Sequence, residues 1–157
     1  MQRILNPKGF PVLAGVPDQL VQALNEALTV KHYDRGEVVY QRGDPATAIY
    51  FMLAGKGLFK AQVRPGMTVH LGALWPGYLF GWSAVFPDYK HHHSAVCSEA
   101  SKIAEVSASD LHQLLESNQC AGYILLRNIF RLANERLELR TEQLLKLFET
   151  NPQMQKP

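Results

Sequence analysis

A chain of 157 residues, 46% of them hydrophobic, is long enough for one domain with its own core. Its formal net charge of +2, from 16 basic and 14 acidic residues, is too small for a nucleic-acid binder that relies on a strongly basic face. The longest apolar run, residues 46–55, is far short of a membrane span, and Pro7, Lys8 and Pro11 break any signal-peptide pattern.

After a lead rich in Pro and Gly, Pro17-Asp18 opens a helical pattern in which Leu20, Leu24, Ala27 and Leu28 recur at three and four residues. The grammar then changes. Runs rich in Val, Tyr, Phe and Leu at residues 30–33, 37–41, 49–54, 58–63, 68–74, 94–98 and 102–106 alternate with turns at 34–36, 42–45, 54–57, 64–66 and 75–77. Glycine supplies positive φ at such corners and proline presets φ near −65°. Many short strands at this spacing predict an antiparallel double-stranded β-helix, a jelly-roll-like β-roll, in an α+β chain. Cys97 and Cys120 lack the spacing of a metal knuckle or a redox pair and are expected as reduced thiols in a cytoplasmic protein.

Ser107 is the expected N-cap of a helix, with Asp110 in its first turn. A second, longer helix is predicted from about 119 to 149, roughly 46 Å at 1.5 Å per residue. Along it Leu126, Ile129, Phe130, Ala133, Leu137, Leu144, Leu147 and Phe148 form one apolar stripe. One reading packs this stripe along the helix's own barrel. Half of that length overshoots a domain of this size, so the favoured reading pairs the distal part with a second copy, a homodimer through a two-fold coiled coil. Residues 1–150 are read as a single domain and 151–157 as a disordered tail.

The segment FGWSAVFPDYKHHHSAV, residues 80–96, has the layout of an anion cradle: a glycine, small residues that open a turn of helix, a loop and a short polar strand. It holds neither Arg nor Glu. Upstream, HYDRGEVVYQRGDPATAIYFMLAGKGLFK places Gly36, Glu37, Gly43, Asp44, Pro45, Tyr50, Phe51, Leu53 and Gly55 in an order that resembles the signature of the cyclic-nucleotide-binding domain family. WPGYLFG, ending at Gly81, resembles that family's turn before its phosphate cassette. The resemblance covers roughly residues 15 to 145, and the family includes the effector domains of catabolite activator protein and Fnr-like regulators.

The resemblance implies a cassette at Phe80, Gly81, Trp82, Ser83, Ala84, His93, Ser94 and Ala95. In the family, backbone N–H groups at the start of a short helix face the cyclic phosphate. A Glu after the glycine accepts from the ribose 2′-hydroxyl, and an Arg a dozen residues on pairs with the phosphate. Here Trp82 stands at the Glu position and His93 at the Arg position. An imidazole lacks the guanidinium's permanent charge and fork geometry, and an indole cannot accept the ribose hydroxyl's hydrogen. Losing one charge-assisted hydrogen bond costs ~1.5–3 kcal/mol, which makes cyclic AMP binding about ten-fold to more than a hundred-fold weaker. High-affinity cyclic AMP binding is therefore not expected.

His91, His92 and His93 raise a metal or haem reading, in which His91 and His93 share one face and His70 or Cys97 completes the set. The reading preferred to it is a solvated basic loop or a pH-dependent anion clamp, with no metal or cofactor. Trp82, with Trp75 and Phe86, is read as plugging the pocket rather than stacking on a ligand. Arg127, Asn128 and Arg131 stand where the family's long helix contacts the base, though surface placement is expected for at least two of them. Ser94 beside His93 has no visible oxyanion hole, and neither paired carboxylates nor a Walker-type loop occur, so an enzyme is not expected.

The leading functional expectation is a non-catalytic sensor module with a diverged cassette for an anionic or aromatic small ligand. Its alternatives are a ligand-free assembly module with a plugged pocket and a regulatory subunit that binds cyclic AMP or cyclic GMP weakly. A chain ending at Pro157 leaves no room for a winged helix-turn-helix after the long helix, so direct DNA binding is not expected.

Overall fold

Pro17, held at φ −55° and ψ 140°, ends the lead, and α1 (Asp18–Ala27) begins directly after it with Asp18 at the positive end of the helix dipole. Leu20, Val21 and Leu24 form its buried face. This comes from a computed structural model that describes residues 4–150. The expected tail at 151–157 lies outside the described residues.

Eight strands follow among the described residues: β1 (Thr29–Tyr33), β2 (Val38–Tyr40), β3 (Ala48–Ala54), β4 (Gly57–Arg64), β5 (Met67–Leu74), β6 (Leu79–Phe80), β7 (Ser94–Cys97) and β8 (Ser101–Ser107). They form two antiparallel sheets of four strands, ordered β1-β8-β3-β6 and β2-β7-β4-β5. The β-roll expected from the turn spacing is the fold. The seven runs read as strands all form strands. The eighth, β6, lies inside WPGYLFG, where two residues are too few to show alternation.

The first five residues of β3, 48 to 52, are buried on both faces. Ile49 and Phe51 join α1 and the C-terminal helices in one apolar cluster with Leu24, Leu111 and Leu125. Ala48, Tyr50 and Met52 point the other way, into the roll between the sheets, and meet Tyr40, Phe59, Phe80 and Ile103. The two-residue period of a strand thus splits one segment between two cores.

Ser107 caps α2 (Ala108–Ser117) as expected, its Oγ accepting from the Asp110 N–H at 3.0 Å. A second helix, α3 (Gln119–Thr150), turns back against it. A Cβ on Gly122 would lie 2.9 Å from the Leu115 carbonyl oxygen, so bare backbone is what lets the two helices close. Of the eight stripe residues on α3, only Ile129 is buried. Leu126 and Ala133 are half-buried, while Phe130, Leu137, Leu144 and Leu147 are 73%, 64%, 52% and 63% exposed. The stripe does not pack as a whole along its own barrel.

Candidate functional site

The sequence around Gly81 folds as a tight corner. Gly81 sits at φ +74°, and a Cβ there would lie 2.5 Å from Cδ2 of the Tyr50 ring, so only glycine fits between β6 and that ring. A four-residue 3-10 turn, Trp82–Val85, leaves from it, with the Ala84 N–H donating to the Gly81 carbonyl at 3.1 Å. Phe80 and Ala84 are fully buried and anchor the turn from behind.

Gly81, Trp82, Ser83 and His93 line one recess together with Tyr40 and Phe59. Ala95 is buried on β7 opposite Phe59 and Tyr40. Ser94 Oγ accepts from the Arg42 N–H at 3.0 Å, which ties the loop down rather than offering a nucleophile. The structure therefore brings Gly81, Trp82, Ser83 and His93 together around one recess.

What fills the recess was not singled out in the sequence. The Arg136 guanidinium enters from α3 and its Nη2 donates to the Leu79 carbonyl at 2.9 Å. Its Cζ lies 4.6 Å from the Trp82 ring centroid, 4.8 Å from Tyr78 and 5.9 Å from Phe59. Flat cations are held well by such aromatic faces. The space left is about 20 Å³, room for roughly one water molecule. Nη1 is buried there without a hydrogen-bond partner. Burial draws the Arg136 pKa down to about 10, so it stays a cation at neutral pH.

The three helix residues proposed from the family pattern lie elsewhere. Arg127 and Arg131 are exposed. Asn128 is buried on another face, where Nδ2 donates to the Val12 and Ala14 carbonyls at 2.9 and 2.8 Å and pins the N-terminal lead to α3. Helix phase is the reason. Ile129, Ala133 and Arg136 recur at four and three residues and share the inward face, which is the signal that marks Arg136 in the sequence. Arg140 lies one turn further, its Nη1 donating to Gln143 Oε1 at 2.6 Å. A Cβ on Gly72 of β5 would come within 2.2 Å of Arg140 Nη2, so that guanidinium lies against a stretch of strand with no side chain.

The histidine run is not a solvated loop. His91 is 4% exposed and stacks on Tyr40 at 3.6 Å with an interplanar angle of 9°. His93 is half-buried, edge-on to Phe59 at 4.2 Å, and only His92 is exposed. His70 is exposed on β5 and Cys97 is buried between the sheets, so neither completes a set with His91 and His93. Among the described residues no group of three or more His, Cys, Asp or Glu could hold a metal ion. Trp75 and Phe86 do not plug the recess either. Trp75 is exposed under the Lys56 ammonium, and Phe86 is an exposed wall of a separate trough along Leu126 and Phe130.

Burial first, then the charges of His91, Arg136, His92 and Arg140, push the His93 imidazole down to about 4. Burial lowers His91 too, with Asp44 opposing. A folded pKa below the ordinary imidazole value of about 6.5 means that the unfolded chain binds more protons between the two values. The stabilising contribution is therefore complete above about pH 6.5 and is lost as pH falls toward 4. His93→Gln is expected to shrink the drop in melting temperature between pH 7 and pH 5. An NMR titration of His93 with a midpoint above 6 would contradict this.

A family model for the cyclic nucleotide-binding domain matches residues 30–118, more than half of the chain. The chain belongs to that family. Solved structures share the fold: a cyclic nucleotide-binding domain from Methylobacillus flagellatus aligns at a TM-score of 0.78 and 16% identity over 88% of this chain and 82% of that one. The Thermus thermophilus catabolite activator protein aligns at 0.73 and 24% identity over 87% of this chain and 62% of that one. Among curated relatives, a protein named as a potassium channel in Rhodopseudomonas palustris is 28% identical over 125 residues, 78% of this chain and 27% of the relative. Glutaminase 1 of Bradyrhizobium diazoefficiens is 25% identical over 127 residues, 81% of this chain and 20% of its own length. The chain thus spans about a quarter or less of these curated relatives.

The cyclic-nucleotide-binding signature has a structural role here. Gly36 N–H donates to the Cys97 carbonyl and Cys97 N–H to the Glu37 carbonyl, both at 2.8 Å. Gly43 N–H donates to His91 O at 2.8 Å and His91 N–H to Asp44 O at 2.9 Å. These bonds bind the signature turns to the histidine segment and to β7, and so set the recess wall. No helix among the described residues is long and apolar enough to cross a membrane.

Proposed function

We propose that residues 1–150 are a non-catalytic regulatory module of the cyclic-nucleotide-binding fold that does not bind cyclic AMP or cyclic GMP tightly. The observation that carries this reading is Arg136, seated in the cassette recess on Trp82 and bonded to the Leu79 carbonyl. A guanidinium from the chain's own helix stands where a ligand phosphate and ribose would otherwise compete for space.

The output runs through α3. Tyr123, Phe130, Leu137 and Leu144 recur every seven residues and are 66%, 73%, 64% and 52% exposed, the spacing of one position of a coiled-coil seam. Leu126, Ala133 and Leu147 recur three residues after three of these. This supports a homodimer through α3. Because Arg136 and Leu137 are neighbours on one rigid helix, a ligand that displaced Arg136 would act on the seam, by no more than its differential affinity for the two helix packings. The free thiols Cys97 and Cys120 fit a reducing cytoplasm, and neither DNA nor a membrane is a direct partner in this reading.

A second reading, a ligand-free assembly module, is favoured by the residual volume of about 20 Å³. Calorimetry with cyclic AMP and cyclic GMP at pH 6 and pH 8 tests the first claim. No saturation at micromolar nucleotide is expected at either pH, since the low pKa of His93 keeps it neutral in both. Micromolar or tighter binding of either nucleotide would overturn it.

A further inference from the structure

Outside the filled recess, a groove of about 530 Å³ runs between the roll and the distal part of α3. Its walls include Phe59, Trp82, His93 and Leu137. Two cations, Arg136 and Arg140, line it one helical turn apart, and among the described residues no carboxylate does. A positive, aromatic-walled space suits a flat anionic guest.

We infer that this groove binds a small organic dianion, a flat apolar body carrying a terminal phosphate monoester, with Arg136 and Arg140 gripping the head and Trp82 and Phe59 flanking the body. The inference rests on the reading of the domain as a ligand-responsive module and names the ligand class for it. A terminal phosphate carries a charge of about −1.5 to −2 at pH 7 and has three acceptor oxygens, which suits two forked donors. A cyclic phosphodiester has one charge and two free oxygens, and matches a pair of guanidiniums less well. The cation comes from the helix rather than from the cassette, so the head would sit on α3 and the body against the roll.

The test uses the full chain and 1-naphthyl phosphate, with 1-naphthol, inorganic phosphate and cyclic AMP as comparisons. Saturable binding is expected, at least about ten-fold tighter for 1-naphthyl phosphate than for any of the other three. Arg140→Gln, on the half-buried edge, is expected to weaken it about ten-fold or more, as is Arg136→Gln. Arg136→Lys should recover only part of the loss, because the fork is gone while the charge remains. Gly72→Ala, which leaves every charge in place but crowds the Arg140 head, should also weaken it. In NMR the ligand should move the His93 ring signals and leave those of His32, on β1, unmoved.

Equal affinity for 1-naphthol would overturn the inference, as would a folded Arg140→Gln chain that binds 1-naphthyl phosphate as the parent does. Cyclic AMP binding tightly in the groove would sink the proposed function and the preference for a monoester together. No binding by any probe would end this inference alone and leave the proposed function standing.

Discussion

Trp82→Glu, His93→Arg and Arg136→Ala, combined in one chain, are expected to raise cyclic AMP affinity by about two to four orders of magnitude over the parent. The carboxylate would accept from the ribose 2′-hydroxyl, and the new guanidinium would pair with the phosphate, each recovering ~1.5–3 kcal/mol. The third substitution is needed on steric and electrostatic grounds. Arg136 occupies the recess and would repel a second guanidinium at position 93. His93→Arg alone is therefore expected to gain little. Calorimetry on the triple variant, with melting curves to show that it folds, decides the matter. A folded triple variant no better than the parent would overturn the assignment of weak nucleotide binding to these three positions.

Phe130→Asp with Leu144→Asp is expected to turn the proposed homodimer into a monomer. Burying a side chain of this size at an interface is worth about 1.5–3 kcal/mol, so losing four of them, two from each protomer, weakens association by at least about four decades, before the cost of burying four carboxylates is added. Both residues are more than half exposed in the single chain, so the monomer's own fold should be undisturbed. Sedimentation equilibrium reads the result directly. A parent chain that is already monomeric at high micromolar concentration, or a double variant that still dimerises, would remove α3 as the output.

The β-roll was legible because its corners are chemically marked: glycines at positive φ and prolines punctuate strands whose apolar content is high. The start of α1, the Ser107 cap and the length of α3 followed from equally local rules. Arg136 did not. A charged residue on an amphipathic helix is ordinarily solvated. What draws this one inward is a set of rings at Phe59, Tyr78 and Trp82, more than fifty residues upstream, and the helical phase it shares with Ile129 and Ala133 gives its direction but not those partners. The α3 stripe joined an inward row through Ile129 with an outward row through Phe130, while Arg127, Asn128 and Arg131 were named from the family pattern, and the surface placement expected for at least two of them is met by Arg127 and Arg131. The histidines failed as a solvated loop because their burial comes from Tyr40 and Phe59, on strands far off in sequence.

The bare strand at Gly72 ties two distant positions into one heritable unit. A methyl group there evicts the flexible Arg140 head at small cost to the roll, so a lineage that acquires a larger residue at 72 loses the selective reason to keep arginine at 140. Homologues should then sort into those with glycine and arginine together and those with neither, a covariation that marks where the second cation still matters.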